Sequence, residues 1–207
     1  NGHHFLDVYN IAMYDIHSNS WKPLTGFQLQ DDYMSTKDAI VTALSWDSGN
    51  STLYVGGDFH IESYIPYPEG RVDRAYSRGV AVWNQETGLM PFIGGSIERR
   101  GESSFNVSFA ELNPEFTREK YLLSHMFYDK MSNSLIVTGQ FDTVGGQPCI
   151  MAALWSFRRS AWECLLQNDN NVFEKISTAY KDPNSNTLYL AGKINSKMVE
   201  AGVLAPG

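Results

Sequence analysis

Three 19-residue stretches of the chain align with one another without a gap. They are Val41–Phe59 (VTALSWDSGNSTLYVGGDF), Leu123–Phe141 (LSHMFYDKMSNSLIVTGQF) and Ile176–Ile194 (ISTAYKDPNSNTLYLAGKI). Asp47, Asp129 and Asp182 share one column. Leu53, Leu135 and Leu188 share a second, and Gly57, Gly139 and Gly192 a third. Such self-similarity at long period constrains the fold, because each unit must bury its apolar face against the next. It identifies a scaffold more readily than an activity.

Each stretch reads as a β-hairpin. Val41, Ala43 and Ser45 alternate with Thr42, Leu44 and Trp46, the period of a strand. Turn formers follow: DSGNST, DKMSNS and DPNSNT. LYVGG, LIVTG or LYLAG then forms a short buried strand ending in glycine. Glycine in a strand marks a bend or the close approach of another backbone. The recurrence of Gly57, Gly139 and Gly192 favours close packing near a crowded axis over a plain turn. The three aspartates read as turn residues whose carboxylates bond their own backbone. A calcium role would need several more oxygens to converge.

A second block also repeats without gaps: IAMYDIHSNSWKPL (Ile11–Leu24), VAVWNQETGLMPFI (Val80–Ile93) and AALWSFRRSAWECL (Ala152–Leu165). Tyr14 and Trp21, Trp83 and Met90, and Trp155 and Trp162 are each seven residues apart across a polar turn. This spacing predicts cross-strand pairs within a second hairpin. A full repeat then carries four strands, and the chain is all-β. Four-stranded antiparallel units repeated about an axis are the blades of a β-propeller. The expected layout is an incomplete propeller: a part-blade at 7–26, a blade at 41–93, an insertion at 94–122, a blade at 123–165 and a part-blade at 176–204. Val199–Leu204 would open one more strand. Two blades and two part-blades fall short of the roughly 4–8 that close a ring. The remaining blades are expected from the same parent protein or from another copy.

Composition narrows the function classes. At 43% hydrophobic and 19% charged residues the chain is globular rather than disordered. A net charge of -7 with scattered basic residues argues against non-specific nucleic-acid binding. No apolar run approaches the ~18 residues of a membrane-spanning helix. No GxSxG, HExxH or P-loop occurs. His3, His4, His17, His60 and His125 assemble no catalytic or metal set by spacing. His125 occupies the column of Ala43 and Thr178 and reads as a satisfied structural histidine. No catalytic residue, metal or cofactor is expected.

The candidate sites lie outside the repeats' cores. Asn50 and Asn106 begin N-glycosylation sequons, Asn50 on a repeat turn. The link from Phe59 to Val80 is ten residues longer than its counterpart from Phe141 to Ala152. It carries Tyr64, Tyr67, Arg71, Arg74, Tyr76 and Arg78, residue types favoured at interaction hot spots. As a long loop on a rigid scaffold it is a candidate surface for a protein or glycan partner. The second insertion, Gly94–Tyr121, holds Asn106 and a short helix predicted after Asn113-Pro114.

The repeats resemble kelch-type, galactose-oxidase-like propeller blades. The match is LYVGG at Leu53–Gly57 followed by Trp83, with Met90 where a Trp is expected; LIVTG and LYLAG keep a single glycine. LYVGGDF, then an alternating aliphatic strand ending in Trp, is similar to the fungal cortical cell-polarity markers. Those are large cell-surface glycoproteins. The resemblance spans most of residues 7–207 apart from the two insertions, and it implies an extracellular or cell-surface scaffold. Two alternatives stay open: part of a propeller enzyme whose site is completed elsewhere, and an intracellular kelch-like adaptor. A turn at Arg158-Arg159 would set Cys164 opposite Ala153 and leave Cys149 too far along for a regular hairpin to bridge. A bend at Gln147-Pro148 would bring it back. The family often places cysteines around this hairpin, which implies a Cys149–Cys164 disulfide; two buried free thiols are the alternative.

Overall fold

The computed structural model describes residues 11–24, 39–66, 72–99, 122–166, 173–185 and 187–194. Among the described residues there are strands and turns and no helix. The predicted helix after Asn113-Pro114 and the strand at Val199–Leu204 lie outside them.

Strands β1 (Ala12–Asp15) and β2 (Ser20–Pro23) form an antiparallel hairpin. β3 (Ile40–Asp47), β4 (Thr52–Pro66), β5 (Val72–Asn84) and β6 (Gly88–Pro91) form a four-stranded antiparallel meander, the first sheet. β7 (Ile97–Glu98) follows. β8 (Leu123–Asp129) and β9 (Ser134–Gly139) lead through the short β10 (Thr143–Val144) and β11 (Gln147–Pro148) to β12 (Ala152–Ser156) and β13 (Ala161–Cys164). The order β8-β9-β12-β13 is a second four-stranded meander, and β7 joins β10 and β11 in a small sheet beside it. β14 (Phe173–Lys181) and β15 (Leu188–Ile194) form a final hairpin. The sheets are all antiparallel.

The repeated aspartates build the same turn three times. One carboxylate oxygen accepts the backbone N–H two residues on: Gly49 at 2.9 Å, Met131 at 3.1 Å and Asn184 at 2.9 Å. The other accepts a side chain three residues on, from Asn50 Nδ2, Ser132 Oγ or Ser185 Oγ. These are Asx turns, which hold the chain in place to reverse.

Opposite the repeated glycine, the first strand of each hairpin slips by one residue. The irregularities fall between Val41 and Ala43, Leu123 and His125, and Ile176 and Thr178. Each pushes a carbonyl inward. A Cβ on Gly57, Gly139 or Gly192 would run into the carbonyl oxygen of Ile40, Leu122 or Lys175. The glycines therefore serve close packing, but against a bulge of their own hairpin partner rather than at an axis.

Two of the three expected cross-strand pairings form. Tyr14 faces Trp21 and Trp155 faces Trp162, with ring centroids 4.9 and 5.5 Å apart. The third does not. Trp83 faces Leu89, and Met90 faces Val82. Asn84 Oδ1 accepts the N–H groups of Glu86 and Thr87, just as Asp15 Oδ1 in the same column accepts those of His17 and Ser18, so this cap is common to both turn lengths. Gly88 then takes φ 70, closing a three-residue turn, whereas the other two hairpins turn over four.

The core has two parts. The larger joins Tyr54, Val80 and Phe92 of the first sheet region to Leu123, Leu135, Val137 and Trp155 of the second. The smaller packs Ile11 and Leu24, which flank β1 and β2, onto Val55, Phe59 and Ala81.

Candidate functional site

The seams between successive sheets repeat, although among the described residues no strand pairing crosses them. β8 lies against β3, and β14 lies against β8. At the first seam Thr42 Oγ1 donates to Leu123 O at 2.5 Å, and Tyr128 N–H donates to Ser45 Oγ at 2.7 Å. The Tyr128 phenol is pushed up by burial and by the Asp47 carboxylate beside it. At the second seam Thr178 Oγ1 meets His125 Nε2 at 3.5 Å, and Lys181 Nζ stands 3.6 Å from Asp129 Oδ2, each side chain 9% exposed. Tyr128 and Lys181 occupy one repeat column, and Asp47 and Asp129 another. The second sheet and the final hairpin thus each set a proton-donating side chain by the Asx carboxylate of the sheet before.

This seam titrates. Burial pushes the Asp129 carboxyl up, but the bonds from Ser132 and Met131 and the Lys181 ammonium outweigh it and hold the group below its ordinary value. A carboxylate lowered in the fold adds stability that is present above its unfolded value and disappears as pH falls through the folded one. Burial holds His125 below its ordinary 6.5, with Nδ1 buried and without a partner. The histidine is therefore only half satisfied, because β14 meets one ring nitrogen and no polar atom reaches the other. Its neutral form is the one that fits, and that contribution too is lost on acidification. The melting temperature is expected to fall in two stages, first below about pH 6.5 and again below about pH 4. His125→Gln should flatten the first stage in a thermal scan at each pH.

The long insertion is a ribbon rather than a loop. β4 and β5 run on past Val80 as a paired hairpin, from His60↔Arg78 to Pro66↔Val72. Tyr64 and Arg74 are cross-strand partners in it. Tyr67 and Arg71 lie outside the described residues. Tyr76 is exposed, its ring 6.0 Å from that of His60. Arg78 is buried, its guanidinium 3.6 Å from Asp58, and its backbone N–H donates to Ser96 Oγ. Arg78 therefore braces the base of the ribbon instead of being displayed to a partner. Beside that base an open groove of about 450 Å³ is lined by Tyr76, Val82, Met90, Pro91 and Ile93 among others, almost all apolar.

Asn50 is exposed on its turn, with Nδ2 already donating to Asp47. Asn106 lies outside the described residues. The start of the second insertion straps the second sheet: Ile97 is buried, β7 pairs with β10, and Arg99 Nε donates to Gln140 O at 2.7 Å. Cys149 and Cys164 are joined in a disulfide, their Cα atoms 5.4 Å apart. Cys164 faces Ala153. The chain does not bend at Gln147-Pro148, which is strand β11. It reverses at Gly145-Gly146 and again at Met151, all three at positive φ, and this returns Cys149 to the hairpin. Replacing both cysteines with alanine opens a loop of 15 residues and is expected to cost about 3 kcal/mol in urea denaturation.

Among the described residues no three His, Cys, Asp or Glu side chains converge, and no helix is long and apolar enough to cross a membrane. No family model, curated protein or solved structure matches the chain.

Proposed function

We propose that the chain is a segment of a larger extracellular or cell-surface β-propeller glycoprotein that acts as a structural and interaction scaffold. The repeated seam carries this reading. β3, β8 and β14 are the first strands of three successive repeats, and they stand in sequence order with matching donors over matching carboxylates. Blades about a common axis require such a recurring interface, and four-stranded meanders are their usual content. The disulfide fits an oxidising compartment. The ribbon and the apolar groove at its base are the surface offered to a protein or glycan partner.

Secretion from a eukaryotic host tests the reading. Intact-mass analysis should find glycan on Asn50 or Asn106 together with the oxidised Cys149–Cys164 pair. Unmodified asparagines with free thiols would overturn it. The rival reading, part of a galactose-oxidase-like enzyme, would replace it if the full-length parent bound stoichiometric copper and oxidised an alcohol.

A further inference from the structure

The two seams that β8 makes are built from different chemistry. Its side chains alternate between them. Met126 lies against Gly56, and the Tyr128 ring stacks on Tyr54 at 5.6 Å, both towards the first sheet. His125 and Asp129 turn to β14, where they meet Thr178 and Lys181. Among ordinary side chains only an imidazole changes charge between about pH 5 and 8, and the second seam contains one. In the first sheet the same column holds Ala43. The first seam is closed instead by hydroxyls, main-chain groups and ring stacking. Apolar support is also thinner at the second seam: Ile176 and Ala179 of β14 are buried, yet neither belongs to the two cores.

We propose that the seam between β8 and β14 is an acid-operated latch: protonation of His125 undocks the β14–β15 hairpin while both four-stranded sheets and the seam between β3 and β8 stay closed. The ring bonds on one side only. Nε2 meets Thr178 Oγ1, and the buried Nδ1 has no partner. A second proton would therefore bury a charge together with an N–H that has no acceptor. Undocking β14 gives that N–H water instead.

The surrounding charges do not offset an imidazolium. On β8 the carboxylate is Asp129, already held by Lys181. On β14, Glu174 pairs with Lys193 of β15, while Lys175 and Lys181 would repel the new charge. β9 carries no charged residue. β3 and β4 lie against the other face of β8; their charged groups are Asp47, bonded within its own turn, and Asp58, His60 and Glu62. Burial accordingly holds His125 below its ordinary value. Such a histidine costs the closed seam nothing above about pH 6.5 and progressively more as pH falls below it. Asp129, held low, stays ionised over the same range, so its pair with Lys181 does not open the latch.

Native-state hydrogen exchange of the unaltered chain tests this, with protection corrected for the intrinsic rate at each pH. Between roughly pH 7.5 and 5.5 the opening of β14 and β15 should rise several-fold, towards the limit of about 10-fold set by an ordinary 6.5 in the open state. β9 and β12 should keep their protection. His125→Gln should remove the pH step in the hairpin and leave β9 and β12 protected. Thr178→Val should raise opening at both pH values and keep the step, since Nδ1 stays without a partner. A second readout needs no variant: the His125 ring signals, followed by nuclear magnetic resonance, should titrate in step with the hairpin's opening. Equal loss of protection in β9 and β12, a hairpin unprotected already at the higher pH, a step that survives His125→Gln, or a ring that titrates without opening the hairpin would overturn the proposal. None of these outcomes depends on glycosylation, which tests the scaffold reading separately.

Discussion

Gly139→Ala is expected to destabilise the chain by about 3 kcal/mol, the upper range for overpacking a buried site. Gly139 ends β9, which is buried along its whole length. A Cβ there meets the carbonyl oxygen of Leu122 and the Cα of Leu123, both backbone atoms held by the bulge of β8. A flexible side chain could turn aside, but these atoms can move only if the bulge unwinds. Gly146→Ala is the control. It sits at φ 77 with nothing within 4 Å of the new Cβ, so only the left-handed backbone is penalised, by about 1–2 kcal/mol. Urea midpoints of the two variants separate the causes. Equal losses would show that the carbonyl contact does not govern this column.

Trp155→Ala is expected to cost about 3–5 kcal/mol, the range for a large aromatic removed from a packed core. Its ring meets Phe92 and Trp162, each at 5.5 Å and edge-on. Phe92 follows β6 of the first sheet, so Trp155 joins the two four-stranded units as well as filling its own. Trp155→Phe should be much milder, because the indole N–H it removes has no hydrogen-bond partner. Near-ultraviolet circular dichroism would show whether the two sheets loosen from each other before the strands melt. A loss for Trp155→Ala as small as that for Trp155→Phe would place the joint elsewhere.

Local chemistry made much of the fold legible in advance. The Asx turns follow from an aspartate that reaches only two or three residues along the chain. The four-stranded content of each repeat follows from alternation and turn spacing, which are also short-range. The register of Trp83 was not legible, because blocks that align without a gap close over three residues here and over four in the other two hairpins. The Asx cap of Asn84 and the positive φ of Gly88 recur at Asp15 and Asn19 in the four-residue turn, so neither marks the shorter one. The glycine column signalled a close approach but not what approaches, since the bulge opposite depends on a partner strand.

The candidate site divides along the same line. Tyr64, Arg74, Tyr76 and Arg78 stood out by residue type, and type says nothing about exposure. Pairing between β4 and β5 decided that Arg78 turns into the base of the ribbon while Tyr76 stays outside. The seam was the structural feature that sequence reasoning missed. Its signal was present in the aligned columns of Asp47 with Asp129 and of Tyr128 with Lys181, but as neighbours in different repeats.

The sequence alone determined the repeat, the antiparallel hairpins, the Asx turns and the glycine positions, because each is settled by contacts within about twenty residues of chain. Tertiary structure alone decided the Trp83 register, the burial of Arg78, the path that joins Cys149 to Cys164 and the pairing of donors with carboxylates across the seams. Those depend on which surfaces meet once the strands are made, and burial and close packing set that choice between residues far apart in the chain.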